Sequence, residues 1–412
     1  MLATGGGQGM AGEAKPGSAK ERIDLVDALR GFALLGIFLA NILTFSGWDL
    51  LTPEAREALA GQAAIDWQHR FHKFFIDGKF YTIFSLLFGA GFALQLDRLT
   101  RRGADGLRIY RRRVLVLLCI GLVHEWLIWD GDILVLYALM GLILPLFHRL
   151  PDRSLLIWSA VLIFLVPAAG IHFVKAMGWP ADAGLMGLSD RIAIGLGAVN
   201  VKDGATWLQR TDFEGWFAWV ASGPFYAWGL KIMSWRIPKV LGIMVLGMWA
   251  GRRLAAGTLL DDRRLLWCVF AGGLVIGVPA NLAYTTGNQW QTDWPSLIGT
   301  VPLGLAYAAG FALLWPHVKS LLGIFADPGR MALTNYLAQS VFSIIVFYGI
   351  FLGQIGHWPP ALFYSYVVAF YGAQLLFSRW WLRHHEQGPM EALWRRWTYG
   401  VKPQVARVVA GV

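Results

Sequence analysis

Long apolar segments follow one another along almost the whole chain, separated by short loops that carry arginine. At 1.5 Å per residue, most of these segments could cross a hydrocarbon core of about 30 Å as a helix. Of the 412 residues, 56% are hydrophobic and 15% are charged, which leaves too few polar residues to cover a soluble protein of this size. The sequence therefore predicts an all-α, polytopic integral membrane helix bundle.

About ten transmembrane helices are predicted, in two bundles of five. In the second span, Gly89 and Gly91 predict the close approach of another helix. The predicted spans are 23–45, 78–96, 114–129, 133–147, 155–174, 237–251, 265–285, 296–315, 331–353 and 361–381.

The domain organisation follows from these spans. An aromatic and glycine-rich stretch, 215–230, is interpreted as re-entrant or interfacial, because counting it as a span would place the arginines after residue 251 outside. The predicted units are a disordered cytoplasmic tail (1–21), an N-terminal bundle (22–175), an outer loop (176–236), a C-terminal bundle (237–400) and a cytoplasmic tail (401–412).

The formal net charge is +10, and the lysines and arginines lie in short loops between apolar segments. This distribution is typical of cytoplasmic loops and not of a groove that binds nucleic-acid phosphates. We therefore predict no nucleic-acid partner, and we place loop 97–113 and both termini on the cytoplasmic side. Cys119 and Cys268 both lie in apolar segments, so no disulfide framework is indicated.

The stretch from Arg108 to Asp132 contains ionisable residues inside a predicted span. His124 could take part in proton transfer near neutral pH, with Glu125, Asp130 or Asp132 as the carboxylate that orients it. Alternatively, His124 hydrogen-bonds a neighbouring helix and only stabilises packing. The acids close by favour a functional role.

A polar stripe follows the first predicted helix. Arg30 and Asn41 are eleven residues apart, which places them about 20° apart around the helix axis, and Asp27 lies on the same side. Arg30 either forms an ion pair with Asp27 or helps to hold an anion such as the phosphates of an acyl-CoA. The arginines that lead into the third helix could share that role or merely orient the protein; they are Arg108, Arg111 and Arg112.

Asn335 and Gln339 are one helical turn apart and therefore share a face. Hydrogen bonding to another helix and a lining for a hydrophilic acceptor both explain them. The sequence contains no P-loop, no HExxH and no GxSxG motif, so common nucleotide, zinc-protease and serine-hydrolase chemistries have no support. No metal site is predicted.

Five ordered segments between residues 22 and 400 resemble the YeiB-like bacterial membrane proteins: LVDALRGFALLGIFLAN, GKFYTIFSLLFGAGFAL, GLVHEWLIWDGDILVLYAL, GRMALTNYLAQS and GPMEALWRRWTY. In its N-terminal half that family is similar to the transmembrane acyltransferase superfamily, which includes polysaccharide O-acetyltransferases and heparan glucosaminide N-acetyltransferase. The resemblance implies a bacterial inner-membrane protein that transfers an acyl group from cytoplasmic acyl-CoA, usually acetyl-CoA, to an acceptor on the far side.

Residue by residue, the resemblance carries over in part. Polysaccharide acetyltransferases of the superfamily have Arg-x10-His on the first helix and Arg-x-x-Arg at the inner end of the third. Here the first pattern is Arg30 to Asn41, with asparagine in place of histidine, whereas Arg108-x-x-Arg111 keeps the second. We infer that His124, on the third helix, supplies the missing imidazole.

The resulting hypothesis is a transmembrane acyltransferase. His124 is the expected base, with Asp132 orienting it, Glu125 close by and Asn41 donating to the acyl carbonyl. Arg30, Asp27 and the three arginines would bind acyl-CoA, and Asp130, Asn335 and Gln339 would face a sugar or envelope metabolite in the bilayer-embedded site. A proton-coupled transporter or flippase and a non-catalytic assembly subunit are the alternatives, and a homodimer is compatible with each.

Overall fold

A computed structural model describes residues 24–178, 184–197, 208–287 and 291–400. Within these ranges all regular structure is helical and no strand occurs, which confirms the predicted all-α class. The two predicted tails and part of the outer loop lie outside the described residues.

The N-terminal half contains α1 (Asp24–Phe45), α2 (Pro53–Ala60), α3 (Gln62–Phe71), α4 (Lys79–Arg101), α5 (Gly106–Leu127), α6 (Leu134–Ile143), α7 (Asp152–Ala160), α8 (Val166–Met177) and α9 (Leu185–Gly195). The C-terminal half contains α10 (Phe213–Met233), α11 (Arg236–Ala255), α12 (Thr258–Asp261), α13 (Arg263–Thr286), α14 (Trp294–Leu322), α15 (Ala326–Arg330), α16 (Ala332–Phe347), α17 (Pro360–His384) and α18 (Pro389–Tyr399). Short π-helical turns, His72–Ile76 and Val161–Leu165, continue α3 and join α7 to α8.

Six helical segments are long and apolar enough to cross a bilayer, or seven if the bent pair α10 and α11 counts as one span. The six are Asp24–Phe45, Gln62–Arg101, Asp152–Met177, Arg263–Thr286, Trp294–Arg330 and Pro360–His384. Leu134–Phe147 and Ala332–Phe347 are shorter apolar helices. The chain is thus a multi-pass helical membrane protein, and the number of ten spans stays a prediction.

The helix ends collect in two layers. In the first layer, which we call the basic end, Arg252 pairs with Asp152 at 3.0 Å and the Arg113 guanidinium lies 4.2 Å from the ring centre of Trp394. We call the other layer the opposite end. It includes the segment after α1, where the Trp48 indole donates to Gln68 of α3 at 2.9 Å. Consecutive long helices therefore run back and forth between the basic end and the opposite end.

Glycines allow α4 and α11 to approach each other closely. A Cβ atom added at Gly89 would lie 1.9 Å from the backbone oxygen of Met244, and one added at Gly247 would lie 2.1 Å from that of Leu86. The prediction of close approach is confirmed for Gly89. It is wrong for Gly91, where an added Cβ would meet nothing within 4 Å, because that position faces away from the contact.

The stretch 215–230 belongs to α10, which meets α11 at an angle of 66°. The chain turns at Trp235, a non-glycine residue with a φ of 53°. Both a broken span and a re-entrant segment fit this shape. At Gly223, α10 comes so close to the turn after α5 that an added Cβ would lie 2.9 Å from the Cβ of Asp130.

Labelling of single cysteines tests the arrangement of the two ends. In a background with Cys119 and Cys268 changed to alanine, we expect Ala104→Cys and Thr258→Cys to react with an impermeant maleimide from the same side of the membrane. Ala58→Cys, in an exposed helix at the opposite end, is expected to react from the other side. Reaction of residues 58 and 258 from one side would contradict this arrangement and make α10 a separate span.

Candidate functional site

A buried histidine–carboxylate pair lies at the opposite end, where α5 ends. His124 Nδ1 is 2.8 Å from Asp132 Oδ1, and both side chains are at most 1% exposed. The chain turns back directly after the histidine, because its carbonyl oxygen accepts from the backbone N–H groups of Ile128 and Trp129 at 3.0 and 2.7 Å. This tight turn brings Asp132 under the imidazole, and the predicted pairing is present.

Two further donors hold the Asp132 carboxylate. Its Oδ2 accepts from the backbone N–H of Val135 at 2.8 Å, at the start of α6, where a carboxylate is favoured by the unpaired N–H groups and the helix dipole. Its Oδ1 accepts from the Tyr336 hydroxyl at 3.4 Å, a weak contact from α16. The carboxylate is therefore fixed from both halves of the chain.

The second nitrogen of the imidazole, Nε2, makes no hydrogen bond within the part of the chain that the structure describes. Among the described residues, neither His124 Nε2 nor Trp129 Nε1 has a hydrogen-bond partner, although both atoms are buried. With the carboxylate ionised, Nδ1 carries the proton and Nε2 presents a lone pair. The ring centres of His124 and Trp129 are 6.4 Å apart, so the imidazole and the indole are neighbouring rings.

Trp129 depends on its neighbours for this position. Its ring packs against Phe45 of α1, with the ring centres 4.3 Å apart. A Cβ atom at Gly131 would lie 2.2 Å from the same indole ring, so this position requires glycine. Sequence reasoning missed Trp129, since a tryptophan near a predicted membrane interface is ordinary.

Glu125 does not join the histidine. It forms a buried ion pair with Lys231 of α10 at 3.0 Å, with side chains 1% and 4% exposed. Lys231 also lies 4.8 Å from the ring centre of Trp228. The signal available in the sequence is a lysine inside an aromatic, apolar helix.

Asp130 faces α10 as well. Its Oδ1 accepts from the Trp219 indole at 3.2 Å. Burial in the turn after α5 raises the pKa of Asp130 to about 6, and the Trp219 hydrogen bond opposes this rise. Of the three candidate acids, Asp132 alone contacts the imidazole among the described residues.

Asn41 lies on the expected side of α1, one helical turn before Phe45 and hence on the side that contacts Trp129. Its side chain is half-buried. Its role towards an acyl carbonyl stays a prediction, and the Trp129 indole N–H, which is beside the imidazole, is a second candidate for that role.

The predicted arginines lie at the basic end but have different surroundings. Arg30 donates to Asp27 at 2.7 Å and to the Gly329 carbonyl at 3.3 Å, so the predicted ion pair is present. Arg108 and Arg111 are exposed. Arg113 instead packs inward, where it donates to Gln95 at 3.0 Å.

A shallow cleft, widely open to its surroundings, lies at the basic end and contains one of the predicted arginines. It has a volume of about 480 Å³ and is lined by Arg112, Arg396, Trp397 and Gly400. Arg112 and His124 are twelve residues apart on α5, which corresponds to about 18 Å along the helix. The cleft and the histidine are therefore separate regions at the two ends of one helix.

Asn335 and Gln339 form a ladder between α16 and α17. Asn335 donates to Ser378 at 2.9 Å, Gln339 donates to Gln374 at 2.9 Å, and Gln374 donates back to the Asn335 carbonyl at 2.8 Å. These contacts correspond to the first of the two predicted roles, hydrogen bonding to another helix. Both side chains are buried, so the ladder does not favour contact with a substrate. No group of three potential metal ligands occurs in the described part of the chain.

The chain is similar to known proteins along nearly its whole length. Residues 250–401 match a family described as "Protein of unknown function (DUF418)". The chain is 32% identical over 398 residues to the uncharacterized protein YxaH of Bacillus subtilis (strain 168), covering 93% of this chain and 96% of the relative. It is 31% identical over 407 residues to the uncharacterized protein YeiB of Escherichia coli (strain K12), covering 92% and 96%.

The Glu125–Lys231 pair predicts a non-additive effect on stability. Lys231→Met leaves a buried carboxylate without its partner, which costs about 3–5 kcal/mol, so we expect a clear fall in the melting temperature of the purified protein. The Glu125→Gln/Lys231→Met double variant is expected to recover most of this loss.

The matched control is Lys319→Met, since Lys319 forms an ion pair with Asp24 in which both side chains are more than half exposed. Exposed pairs contribute at most about 1 kcal/mol, so the control should melt close to the wild type. A double variant as unstable as Lys231→Met would contradict the assignment of the pair.

Proposed function

We propose that this chain, which belongs to the YeiB-like family of membrane proteins with a DUF418 region, transfers an acyl group from acyl-CoA to a hydroxyl or amine acceptor across the bacterial inner membrane. One observation carries the proposal. A buried imidazole is held at Nδ1 by Asp132, while its Nε2 has no partner among the described residues. This is the arrangement that a general base requires.

The proposed reaction uses His124 as the proton acceptor. The acceptor's oxygen or nitrogen donates its proton to Nε2 and attacks the thioester carbonyl carbon. The new C–O or C–N bond forms as the C–S bond breaks, and the thiolate leaves with the proton returned by the imidazolium. Asp132 stabilises the imidazolium, and the Trp129 indole N–H donates to the carbonyl oxygen as it gains negative charge.

The acyl donor enters at the basic end in this proposal, which places that end and both termini in the cytoplasm by the positive-inside rule. Arg112 and Arg396 bind its phosphates in the 480 Å³ cleft. Because the cleft and His124 are about 18 Å apart along α5, the pantetheine arm has to pass between helices. The acceptor, a sugar or another envelope metabolite, reaches His124 from the opposite end.

A proton-coupled transporter or flippase is the second candidate. It is favoured by the buried Glu125–Lys231 pair, whose carboxylate belongs to the residue after His124, since ionisable groups inside membrane helices are typical of proton pathways. A non-catalytic assembly subunit requires neither the oriented imidazole nor the buried ion pair.

His124→Gln is expected to lower acyl transfer by a factor of about 10² or more while leaving acyl-CoA binding unchanged. The wild-type rate should fall on acidification, because a protonated imidazole accepts no further proton. Mass spectrometry of glycans incubated with the protein and acetyl-CoA measures turnover. His384→Gln, which changes an exposed histidine at the basic end, is the matched control.

Full activity in His124→Gln would overturn the assignment of the base. If the wild type adds no acyl group to the glycans tested while His124→Gln uncouples a flux from the proton gradient, the protein is a transporter. A wild type that neither adds an acyl group nor carries a proton-coupled flux would support the assembly role.

The Arg112→Gln/Arg396→Gln variant is expected to weaken binding of acetyl-CoA at low salt at least about tenfold, since each charge-assisted hydrogen bond contributes roughly 1.5–3 kcal/mol. Isothermal titration of the purified protein measures this. Arg379→Gln removes an exposed charge from the basic end outside the cleft and should bind like the wild type. Equal weakening in both variants would show a general charge effect and contradict a phosphate site.

A further inference from the structure

The short helix α18 connects two helices that meet again at the His124 site. Its first turn lies against the start of α16, and a later turn lies against α5. The two segments that meet at the start of α16 are GRMALTNYLAQS and GPMEALWRRWTY, which are far apart in the chain. Their contact is built from polar side chains that the proposed reaction does not use.

The Glu391 carboxylate closes the start of α16. Its Oε1 accepts from the backbone N–H groups of Leu333 and Thr334 at 2.7 and 3.1 Å, and its Oε2 accepts from the Thr334 hydroxyl at 2.6 Å. The Thr334 hydroxyl in turn accepts from the backbone N–H of Met390 at 3.1 Å. Because the first N–H groups of a helix have no partner inside it, a carboxylate is favoured there.

This cap comes from a distant part of the chain. Met331, which precedes α16, supplies no side-chain cap, and Glu391 takes that place from 58 residues beyond Leu333. The approach also requires glycine at position 388, since a Cβ atom there would lie 2.2 Å from Glu391 Oε2. A cap of this kind fixes the position of α16 relative to α18, which a local cap would not do.

Trp394 fixes α18 on α5. Its indole N–H donates to the Arg113 carbonyl at 2.8 Å, and the Arg113 guanidinium lies 4.2 Å from the centre of its ring. Glu391 and Trp394 are three residues apart and therefore lie on the same side of α18. One side of a short helix thus holds both α16 and α5, the helix that carries His124.

The part of α16 that α18 holds also carries Tyr336. Tyr336 is two residues after Thr334, which corresponds to about 3 Å along the helix axis. Its hydroxyl donates to Asp132 Oδ1 at 3.4 Å and accepts from the Ile133 N–H at 3.4 Å, and its ring centre lies 5.3 Å from that of the His124 imidazole. Both hydrogen bonds are long, so a small displacement of α16 would break them.

We propose that Glu391 and Trp394 are positioning residues for the His124 site. By holding α16 on α5, they fix Tyr336 against Asp132 and the imidazole, and a base has to be held closely in its productive orientation. The expected effect on rate rests on the proposed acyl transfer. The effect on the imidazole does not, because the surroundings of His124 can be measured without turnover.

The rate test uses the full chain in nanodiscs, with acetyl-CoA and glycans as substrates and mass spectrometry as the measurement. We expect Glu391→Ala to lower kcat at least about tenfold, because a small misplacement of the reacting groups is costly. The KM for acetyl-CoA is expected to change less than about twofold, since Arg112 and Arg396 of the cleft are unchanged.

Two further variants separate positioning from general loss of stability. Glu391→Gln keeps an oxygen that accepts from the start of α16, so it should retain most of the wild-type rate. In a Tyr336→Phe background, Glu391→Ala is expected to cost clearly less than in the wild type, because the hydroxyl that it positions is already absent.

The matched control is Thr398→Val. Thr398 is a buried residue of the same helix, but its hydroxyl donates to the Trp394 carbonyl within α18 at 2.7 Å. It should therefore leave kcat unchanged. Trp394→Phe, which keeps the ring but removes the N–H donor, provides a second test if Glu391→Ala does not fold, and it should also lower kcat.

Hydrogen–deuterium exchange at the carbon between the two imidazole nitrogens reports on His124 without turnover. His124 is 1% exposed and should exchange slowly in the wild type. Glu391→Ala and Trp394→Phe are expected to speed its exchange, because a displaced Tyr336 ring uncovers the imidazole. The exposed His384 should exchange at the same rate in every variant, and His124 in Thr398→Val should match the wild type.

Three results would overturn the proposal. The first is unchanged kcat and unchanged His124 exchange in both Glu391→Ala and Trp394→Phe, even with a lower melting temperature, which would leave α18 a purely stabilising role. The second is a raised KM with unchanged kcat, which would mean that α18 serves only the cleft. The third is a loss of rate in Glu391→Ala that is equally large in the Tyr336→Phe background.

Failure of the proposed function would look different. A wild type that transfers no acyl group, while Glu391→Ala still speeds exchange at His124, would reject the reaction and support the positioning of the imidazole by α18.

Discussion

The Asp132 carboxylate is the contact on which the candidate site depends. It holds the His124 imidazole at 2.8 Å and accepts the backbone N–H of Val135, so one side chain orients the base and begins the next helix. A hydroxyl of α16 reaches the same carboxylate. Replacing Asp132 would therefore disturb the imidazole, the start of α6 and a contact between the two halves of the chain.

The two halves are joined throughout their cores. Val114 of α5, Met244 of α11 and Val301 of α14 belong to one buried apolar cluster, and α4 packs against α11 through Gly89 and Gly247. A polar contact also joins the halves, because Lys231 of α10 forms an ion pair with Glu125 of α5. The site is thus assembled from both predicted bundles, and neither bundle contains all of it.

The two ends of the bundle differ in chemistry. Exposed arginines and the cleft at Arg112 lie at the basic end, whereas the opposite end holds buried ionisable groups around His124 and Asp77. Burial makes each of these groups sensitive to its partner, because a charge in a low-dielectric surrounding is stable only when compensated.

The sequence by itself determined the helical class, the membrane character and the local pairs. Apolar segment length, the spacing of Arg30 from Asp27 and the closeness of Asp132 to His124 all follow from short-range geometry. Tertiary structure decided the partners that are far apart in the chain. Lys231 pairs with Glu125 across 106 residues of sequence, and Gln374 and Ser378 hydrogen-bond Gln339 and Asn335. Trp129 lies next to the imidazole because Gly131 leaves space for the indole and Phe45 packs against it. Helical periodicity specifies which face a residue occupies, but the packing of other helices decides what that face meets.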